Sequence, residues 1–126
     1  MTQFNIKKAK SAYRILEADY DNYCFKTLFH GINGCRVIHR NKWYKAERKL
    51  SSDGSGKRKY VTGFHLLPDY DSCVKYARKF KKRDNRYIVE VKYIGDRRKE
   101  HSTSPVILAD YMLLPADAIA VCLTLL

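Results

Sequence analysis

Residues 87–94 read YIVEVKYI, and this stretch decides the fold that the sequence predicts. Successive side chains of a strand point to opposite faces, so Tyr87 and the three alternate residues after it share one apolar face. The other face begins with Ile88 and ends with Ile94, on either side of two charged residues. Because both faces carry apolar side chains, we expect a central β-strand here.

Two stretches nearer the N-terminus also have the pattern of strands. Residues 12–18 (AYRILEA) alternate apolar and polar side chains, and residues 24–30 (CFKTLFH) form a second strand-like run. Asp and Asn residues between them are typical of a turn. Residues 35–50 carry apolar side chains among six basic ones, which favours short extended pieces, with a helix as the alternative.

A Ser- and Gly-rich stretch at residues 51–56 (SSDGSG) is the clearest loop, since glycine tolerates positive φ and Ser and Asp bond locally. We expect it to join two antiparallel strands, residues 43–50 and 57–67. The tip of this hairpin is basic because Lys57 and Arg58 follow the loop directly.

A helix is predicted after Pro68, over residues 71–82. Asp69 or Asp71 can cap it, and apolar residues recur at the spacing of a buried helical stripe. Four cations recur at i, i+3, i+4 and i+7 on the opposite side: Lys75, Arg78, Lys79 and Lys82. The pattern therefore predicts a helix with a cationic face.

The last two apolar runs, residues 106–114 and 118–125, fit either strands or short helices. A chain of 126 residues has the usual size of one domain. We expect a single basic α+β domain over residues 1–126, with an antiparallel sheet of about five or six strands packed on one main amphipathic helix.

The net charge of +12 is concentrated in two parts of the chain. Residues 36–59 sum to +7, residues 75–101 also sum to +7, and the remainder sums to −2. Clustered cations of this kind attract phosphates and release the counterions that nucleic acids condense. We therefore predict a polyanion partner, DNA or RNA first, with an acidic protein partner or solubility alone as the alternatives.

The expected contacts lie on the helix, on the hairpin tip and on a charged connector, with two aromatic residues added. An exposed aromatic ring can stack on an unpaired base, although alternating aromatic residues in strands more often pack a core. The residues predicted to bind nucleic acid are Lys75, Arg78, Lys79, Lys82, Lys57, Arg58, Arg97, Arg98, Trp43 and Tyr44.

Several other classes of site and location have little support in the sequence. Four widely spaced cysteines and four histidines show no metal-ligand spacing, so we expect reduced thiols, no metal and no cofactor. Glycine-rich nucleotide cradles and the motifs of major-groove readers are absent from the sequence, and no catalytic residue is assigned. No apolar run is long enough for a membrane span, and the polar first ten residues favour a cytoplasmic protein.

Leu28 to Gly31 (LFHG) and Gly63-Phe64, followed by the predicted helix, resemble ADP-ribosyltransferase-like folds over residues 28–94. In that family a His-Gly strand binds the nicotinamide ribose, which implies such a role for His30. The sequence departs from the family where a tyrosine is expected, since Phe64 or His65 stands there. Glu90 lies in the middle of a strand and Asp110 is the other candidate carboxylate, so the resemblance implies NAD use only as an alternative.

The stretch from Gly63 to Asp110 is also similar in style to small uncharacterised proteins of bacteriophages and other mobile elements. That resemblance implies a protein that acts on host machinery by binding, in the host cytoplasm. An inhibitor that docks on an acidic host protein is the alternative it leaves open.

Overall fold

A computed structural model describes residues 9–20, 24–28, 37–46, 50–52, 59–95, 97–98 and 105–126. Within these ranges the chain forms one α-helix, a short C-terminal 3₁₀ helix and twelve strands. The strands are β1 (Lys10–Asp19), β2 (Cys24–Thr27), β3 (Val37–Ile38), β4 (Trp43–Lys45), β5 (Leu50–Ser52), β6 (Lys59–Val61), β7 (Phe64–Leu66), β8 (Arg86–Ile94), β9 (Arg97–Arg98), β10 (Ile107–Ala109), β11 (Tyr111–Leu113) and β12 (Ala120–Cys122). Helix α1 spans Tyr70–Ala77 and the 3₁₀ helix spans Leu123–Leu125.

The main sheet is antiparallel in its strand pairs and is built around β8. Its order is β3-β2-β1-β8-β11-β4. One edge of β8 pairs with β1, and its other edge pairs first with β12, at Ile88, and then with β11, at Tyr93. The prediction of a central strand at residues 87–94 is confirmed, because β8 has neighbours on both edges and buried side chains on both faces.

The sheet curls into a nearly closed, barrel-like form. Its edge strands β3 and β4 are consecutive in the chain, and the connection between them is fastened to the end of β11. Arg40 forms a parallel bridge with Leu114, and the Asn41 N–H donates to the Leu114 carbonyl at 2.7 Å. Arg40 NH1 also donates to the carbonyls of Pro115 and Ala118, both at 3.1 Å.

Two groups of buried side chains lie on the two faces of β1 and β8. The larger cluster includes Ala12 and Leu16 of β1 and Val91 of β8, which share one face of the sheet. Phe64 from β7 packs in the same cluster. The smaller cluster includes Ile15 and Ile88 on the other face, with residues of α1 and the 3₁₀ helix. The helix therefore covers only the smaller cluster.

Two smaller sheets complete the described part of the chain. One has the order β7-β10-β9, and the other is the pair β5-β6. The predicted hairpin is confirmed in its pairing of Leu50 with Val61, while its tip lies outside the described residues. The predicted strand over residues 43–50 is interrupted, since β4 pairs with β11 rather than with β6.

The predicted fold class is wrong. The structure is mostly antiparallel sheet with a nearly closed main sheet, and it is not an α+β sheet of five or six strands packed on one main amphipathic helix. The physical reason is that the larger apolar face is buried by curvature of the sheet and by β7 and β10, which leaves the eight-residue helix a minor part of the core. For the apolar runs at residues 106–114 and 118–125, the sequence left strands and short helices as alternatives. They form β10, β11, β12 and the 3₁₀ helix.

Candidate functional site

The densest group of cations among the described residues lies between Lys75 and Arg86. This basic segment holds seven Lys or Arg residues and one acid, Asp84. It runs from the last turn of α1, through a turn, to the first residue of β8. Its five exposed cations, called the basic surface below, are Lys75, Arg78, Lys79, Lys81 and Lys82.

Helix α1 sets the direction of the first of these cations. The Asp69 carboxylate caps the helix by accepting a hydrogen bond from the Ser72 N–H at 2.7 Å, which lowers the pKa of Asp69. Cys73 and Ala77 are buried in the smaller cluster. Since this face of the helix is buried, Lys75 lies on the solvent side.

The helix ends earlier than the sequence predicts. Arg78 is its C-cap, and the Lys79 and Phe80 N–H groups donate to the carbonyls three residues back, at 3.1 and 3.0 Å. The predicted helix over residues 71–82 is therefore wrong in its second half. Lys75, Arg78, Lys79 and Lys82 are all exposed as predicted, but Lys79 and Lys82 stand on the following turn and not on a helical face.

Two aromatic rings pack against the turn that follows α1. Tyr76 and Phe80 meet edge to face with 5.3 Å between ring centres. Lys79 Nζ lies 5.9 Å from the Tyr76 ring centre, and Arg86 Cζ lies 5.0 Å from that of Phe80. These rings are engaged with cations of the protein itself, so the surface offers exposed charge rather than an open aromatic face.

One ion pair joins the basic surface to β1 within the part of the chain that the structure describes. Lys82 Nζ lies 3.5 Å from Glu17 Oε1, and the lysine side chain is 63% exposed. Exposed pairs of this kind are weak and are screened by salt. Lys75, Arg78, Lys79 and Lys81 form no ion pair with any described residue, although Lys75 interacts at longer range with the Asp69 carboxylate. The surface therefore keeps an excess of positive charge.

A groove of about 320 Å³ lies beside this surface, between α1 and the 3₁₀ helix. Val74, Ala77 and Leu123 give it an apolar floor. Arg78 and Arg83 are its two cations, and Arg83 Nε donates to the Phe80 carbonyl at 3.3 Å. Both arginines thus stand where the groove meets the basic surface.

The remaining predicted cations fall elsewhere. Lys57 and Arg58 lie outside the described residues. Arg97 is held within β9, because its NH2 group donates to Asp110 Oδ1 at 3.1 Å and to the Thr62 carbonyl at 2.9 Å. Arg98 is exposed on the same strand. The structure therefore groups the four predicted cations of residues 75–82 and leaves Arg97 in a structural role.

The two predicted stacking residues differ in exposure. Trp43 is half-buried on β4 and stays a prediction. Tyr44 is buried, its hydroxyl accepts a hydrogen bond from the His39 N–H at 2.8 Å, and Lys42 Nζ lies 5.4 Å from its ring centre. We therefore correct the role expected for Tyr44, since a buried ring cannot stack on a base.

The residues named by the resemblance to ADP-ribosyltransferase-like folds are not assembled within the described part of the chain. His30 lies outside it. Phe64 is buried in the larger cluster, Glu90 is exposed on β8, and the Asp110 carboxylate is bound to Arg97. The resemblance stays a prediction without a described site.

Thiol and metal chemistry has no described centre either. Cys73 is buried, and burial raises the pKa of its thiol to about 12. Cys24 and Cys122 are half-buried on separate strands. Among the residues that the structure describes, no three His, Cys, Asp or Glu side chains form a group that could hold a metal ion.

Sequence reasoning missed Lys81 as part of the basic surface, and it missed Arg83 and Arg86 as half-buried members of the basic segment. All three lie within residues 75–101, so the charge of that block already indicated them. They were left out because a continuous helix was assumed, and only cations on one face of that helix were selected. A register of 3.6 residues applies only as far as the helix extends, and α1 ends at Ala77.

No helix within the described ranges is long and apolar enough to cross a bilayer. Comparison with protein-family models, with curated proteins and with solved structures gives no match, so the function has to be inferred from the site itself.

Proposed function

We propose that this protein binds a polyanion, with nucleic acid as the first expectation, through the basic surface at the end of α1. The observation that carries this proposal is the charge of residues 75–86, where seven cations stand beside a single acid. Five of those cations are exposed, and among the described residues only Lys82 forms an ion pair with a carboxylate.

Contacts to phosphate explain this arrangement better than contacts to bases. Lysine and arginine on a turn can neutralise backbone phosphates whatever the sequence, and such contacts supply most of non-specific affinity. Helix α1 has eight residues, and its buried face is turned to the core. We therefore propose binding that does not depend on base sequence, in the cytoplasm of the cell that makes the protein, a phage or mobile-element host being our expectation.

The basic surface also fits an acidic protein partner. An experiment has to distinguish this partner from nucleic acid. The absorbance ratio of the first purified material, before and after nuclease treatment, distinguishes the two partners. Bound nucleic acid gives a raised 260 to 280 nm ratio that falls with nuclease. A defined acidic protein that stays bound after nuclease treatment would contradict the proposal.

Charge reversal tests whether the affinity belongs to this surface. We expect Lys75→Glu with Lys79→Glu to weaken binding to a fluorescent single-stranded oligonucleotide at least tenfold, alike for all sequences. Lys10→Glu with Lys92→Glu is the matched control, since both double variants lower the net charge from +12 to +8 and these two lysines lie at the other end of β1 and β8 from the basic surface. Equal loss in both variants would show that net charge alone, and not the basic surface, carries the binding.

A further inference from the structure

Arg14 lies on the face of β1 that is turned to the larger cluster. Side chains alternate along a strand, so Arg14 shares its face with Ala12 and Leu16, which are both fully buried in that cluster. Arg14 pairs in register with Val89 of β8, and Val89 in turn pairs with Ala120 of β12. An arginine thus stands in a row of short apolar side chains on the inner face of the curled sheet.

Within the part of the chain that the structure describes, the guanidinium of Arg14 has an aromatic neighbour and no anionic one. Its Cζ lies 5.7 Å from the ring centre of Phe64, which is buried in the same cluster. Its NH1 atom is sealed from solvent and makes no hydrogen bond. Among the described residues, no carboxylate forms an ion pair with it.

This charge is poorly compensated. Burial lowers the pKa of Arg14 to about 10, and no described carboxylate opposes this shift. A pKa of about 10 still leaves the side chain charged at neutral pH. A buried charge without a partner is strongly unfavourable, and in native proteins such a group points to a functional role or to a bound ion.

Arg14 also stands at a break in the pairing of β1. On the edge away from β8, the register with β2 ends at Leu16 and Thr27. The next bridge on that edge joins Tyr13 to Leu67. Arg14 and Ile15 lie between these two pairings, and Arg14 as a whole residue is half-buried, not fully enclosed.

We propose that Arg14 is the anchoring cation of a binding site for a small oxyanion, a carboxylate or a phosphate, on the inner face of the curled sheet. The planar guanidinium has paired N–H donors that match both kinds of oxyanion. Phe64 fixes its position by lying against it. This site is separate from the basic surface and does not depend on nucleic-acid binding.

Thermal unfolding in inorganic phosphate tests the site, with chloride at matched ionic strength as the reference. We expect the Tm of the wild type to rise by about 4 °C at ten times the dissociation constant. Arg14→Met should lose most of that rise, and Arg14→Lys should keep a reduced one. Arg78→Met and the Lys75→Glu, Lys79→Glu double variant should keep it whole, which separates this site from the basic surface.

The Tm of Arg14→Met in the absence of phosphate provides a second test of the proposal. Replacing an uncompensated buried charge by an apolar side chain of similar length is neutral or stabilising, so its Tm should equal or exceed that of the wild type. An Arg14→Met variant that fails to fold, or one that keeps the full phosphate response, would overturn the proposal. Acetate and adenosine monophosphate, titrated in the same way, then tell a carboxylate from a free or an esterified phosphate.

Discussion

Arg86 Cζ lies 5.0 Å from the centre of the Phe80 ring, and Arg86 NH1 donates to the Lys82 carbonyl at 3.1 Å. Arg86 is the first residue of the central strand β8, whereas Phe80 and Lys82 belong to the turn that carries the basic surface. This contact therefore fastens the turn to the most heavily paired strand of the sheet. A fixed turn presents its cations without the entropic cost of ordering them on binding.

Removing the Phe80 ring should weaken binding without any change of charge. We expect Phe80→Ala to lower the free energy of unfolding by about 1 to 3 kcal/mol and the oligonucleotide affinity by about threefold to tenfold, because the turn loses its support. Phe80→Tyr keeps the ring and should keep the affinity. Fluorescence anisotropy measures the affinity, and an unchanged affinity in Phe80→Ala would contradict the role given to this ring.

Sequence reasoning recovered the local features of this region and missed the long-range ones. The cap at Asp69 and the buried positions Cys73 and Ala77 follow from spacing within a few residues. The helix ends at Ala77, and beyond it the Phe80 ring lies against Tyr76 and Arg86. Arg86 is placed there by the pairing of β8 with β1, about seventy residues away in the chain, and the local pattern does not encode that pairing.

The closure of the sheet was beyond sequence reasoning for the same reason. Arg40 reaches the carbonyls of Pro115 and Ala118, more than seventy residues away in the chain. The apolar alternation of β1 and β8 predicts strands, but it does not say that the edges β3 and β4 come together. The basic surface could be found from charge alone, whereas Arg14 could not, because its burial depends on Phe64 from β7.

The helix cap gives a pH-dependent prediction. The hydrogen bond from the Ser72 N–H keeps the pKa of Asp69 below its ordinary value in the folded state. A lowered folded-state pKa adds stability that is present above the unfolded pKa of about 4 and is lost as the pH falls through the folded one. Asn caps a helix about as well as Asp but does not titrate.

We therefore expect Asp69→Asn to have nearly the wild-type Tm at pH 6 and Asp69→Ala a lower one. As the pH falls from 6 to 2.5, the Tm of the wild type should drop more than that of Asp69→Asn. Thermal unfolding followed by circular dichroism measures both. Equal acid sensitivity in the two proteins would show that the cap contributes nothing through its charge.

The pair of Arg97 with Asp110 should matter more for stability than the exposed pair of Lys82 with Glu17. Its side chains are 31% and 20% exposed, and Arg97 also holds the Thr62 carbonyl. We expect Asp110→Asn to cost about 1 to 2 kcal/mol of unfolding free energy, since it leaves a half-buried guanidinium without its charge partner. Glu17→Gln should cost about 0 to 1 kcal/mol.

Urea unfolding of both variants checks this order. A double-mutant cycle with Arg97→Met then isolates the coupling between the two side chains. A larger loss in Glu17→Gln than in Asp110→Asn would contradict the structural role given to Arg97.

Cysteine labelling should distinguish Cys73 from the half-buried thiols. Burial raises the pKa of Cys73 to about 12, so almost none of it is thiolate at pH 8, and only the thiolate reacts. We expect Cys122 to be alkylated faster than Cys73 in the folded protein, with equal rates in denaturant. Mass spectrometry of tryptic peptides reads each site separately. Labelling of native Cys73 at the rate of Cys122 would contradict its burial in the smaller cluster.

The central claim is that the cations of the basic surface neutralise phosphates, and the salt dependence of binding tests it most directly. For about five phosphate contacts, the affinity of the wild type for single-stranded nucleic acid should fall about 100-fold between 50 and 200 mM salt. The slope of log affinity against log salt should be smaller by about 1.4 in the Lys75→Glu, Lys79→Glu variant, which loses two contacts. A flat titration of the wild type, or an equal slope in both proteins, would contradict the account.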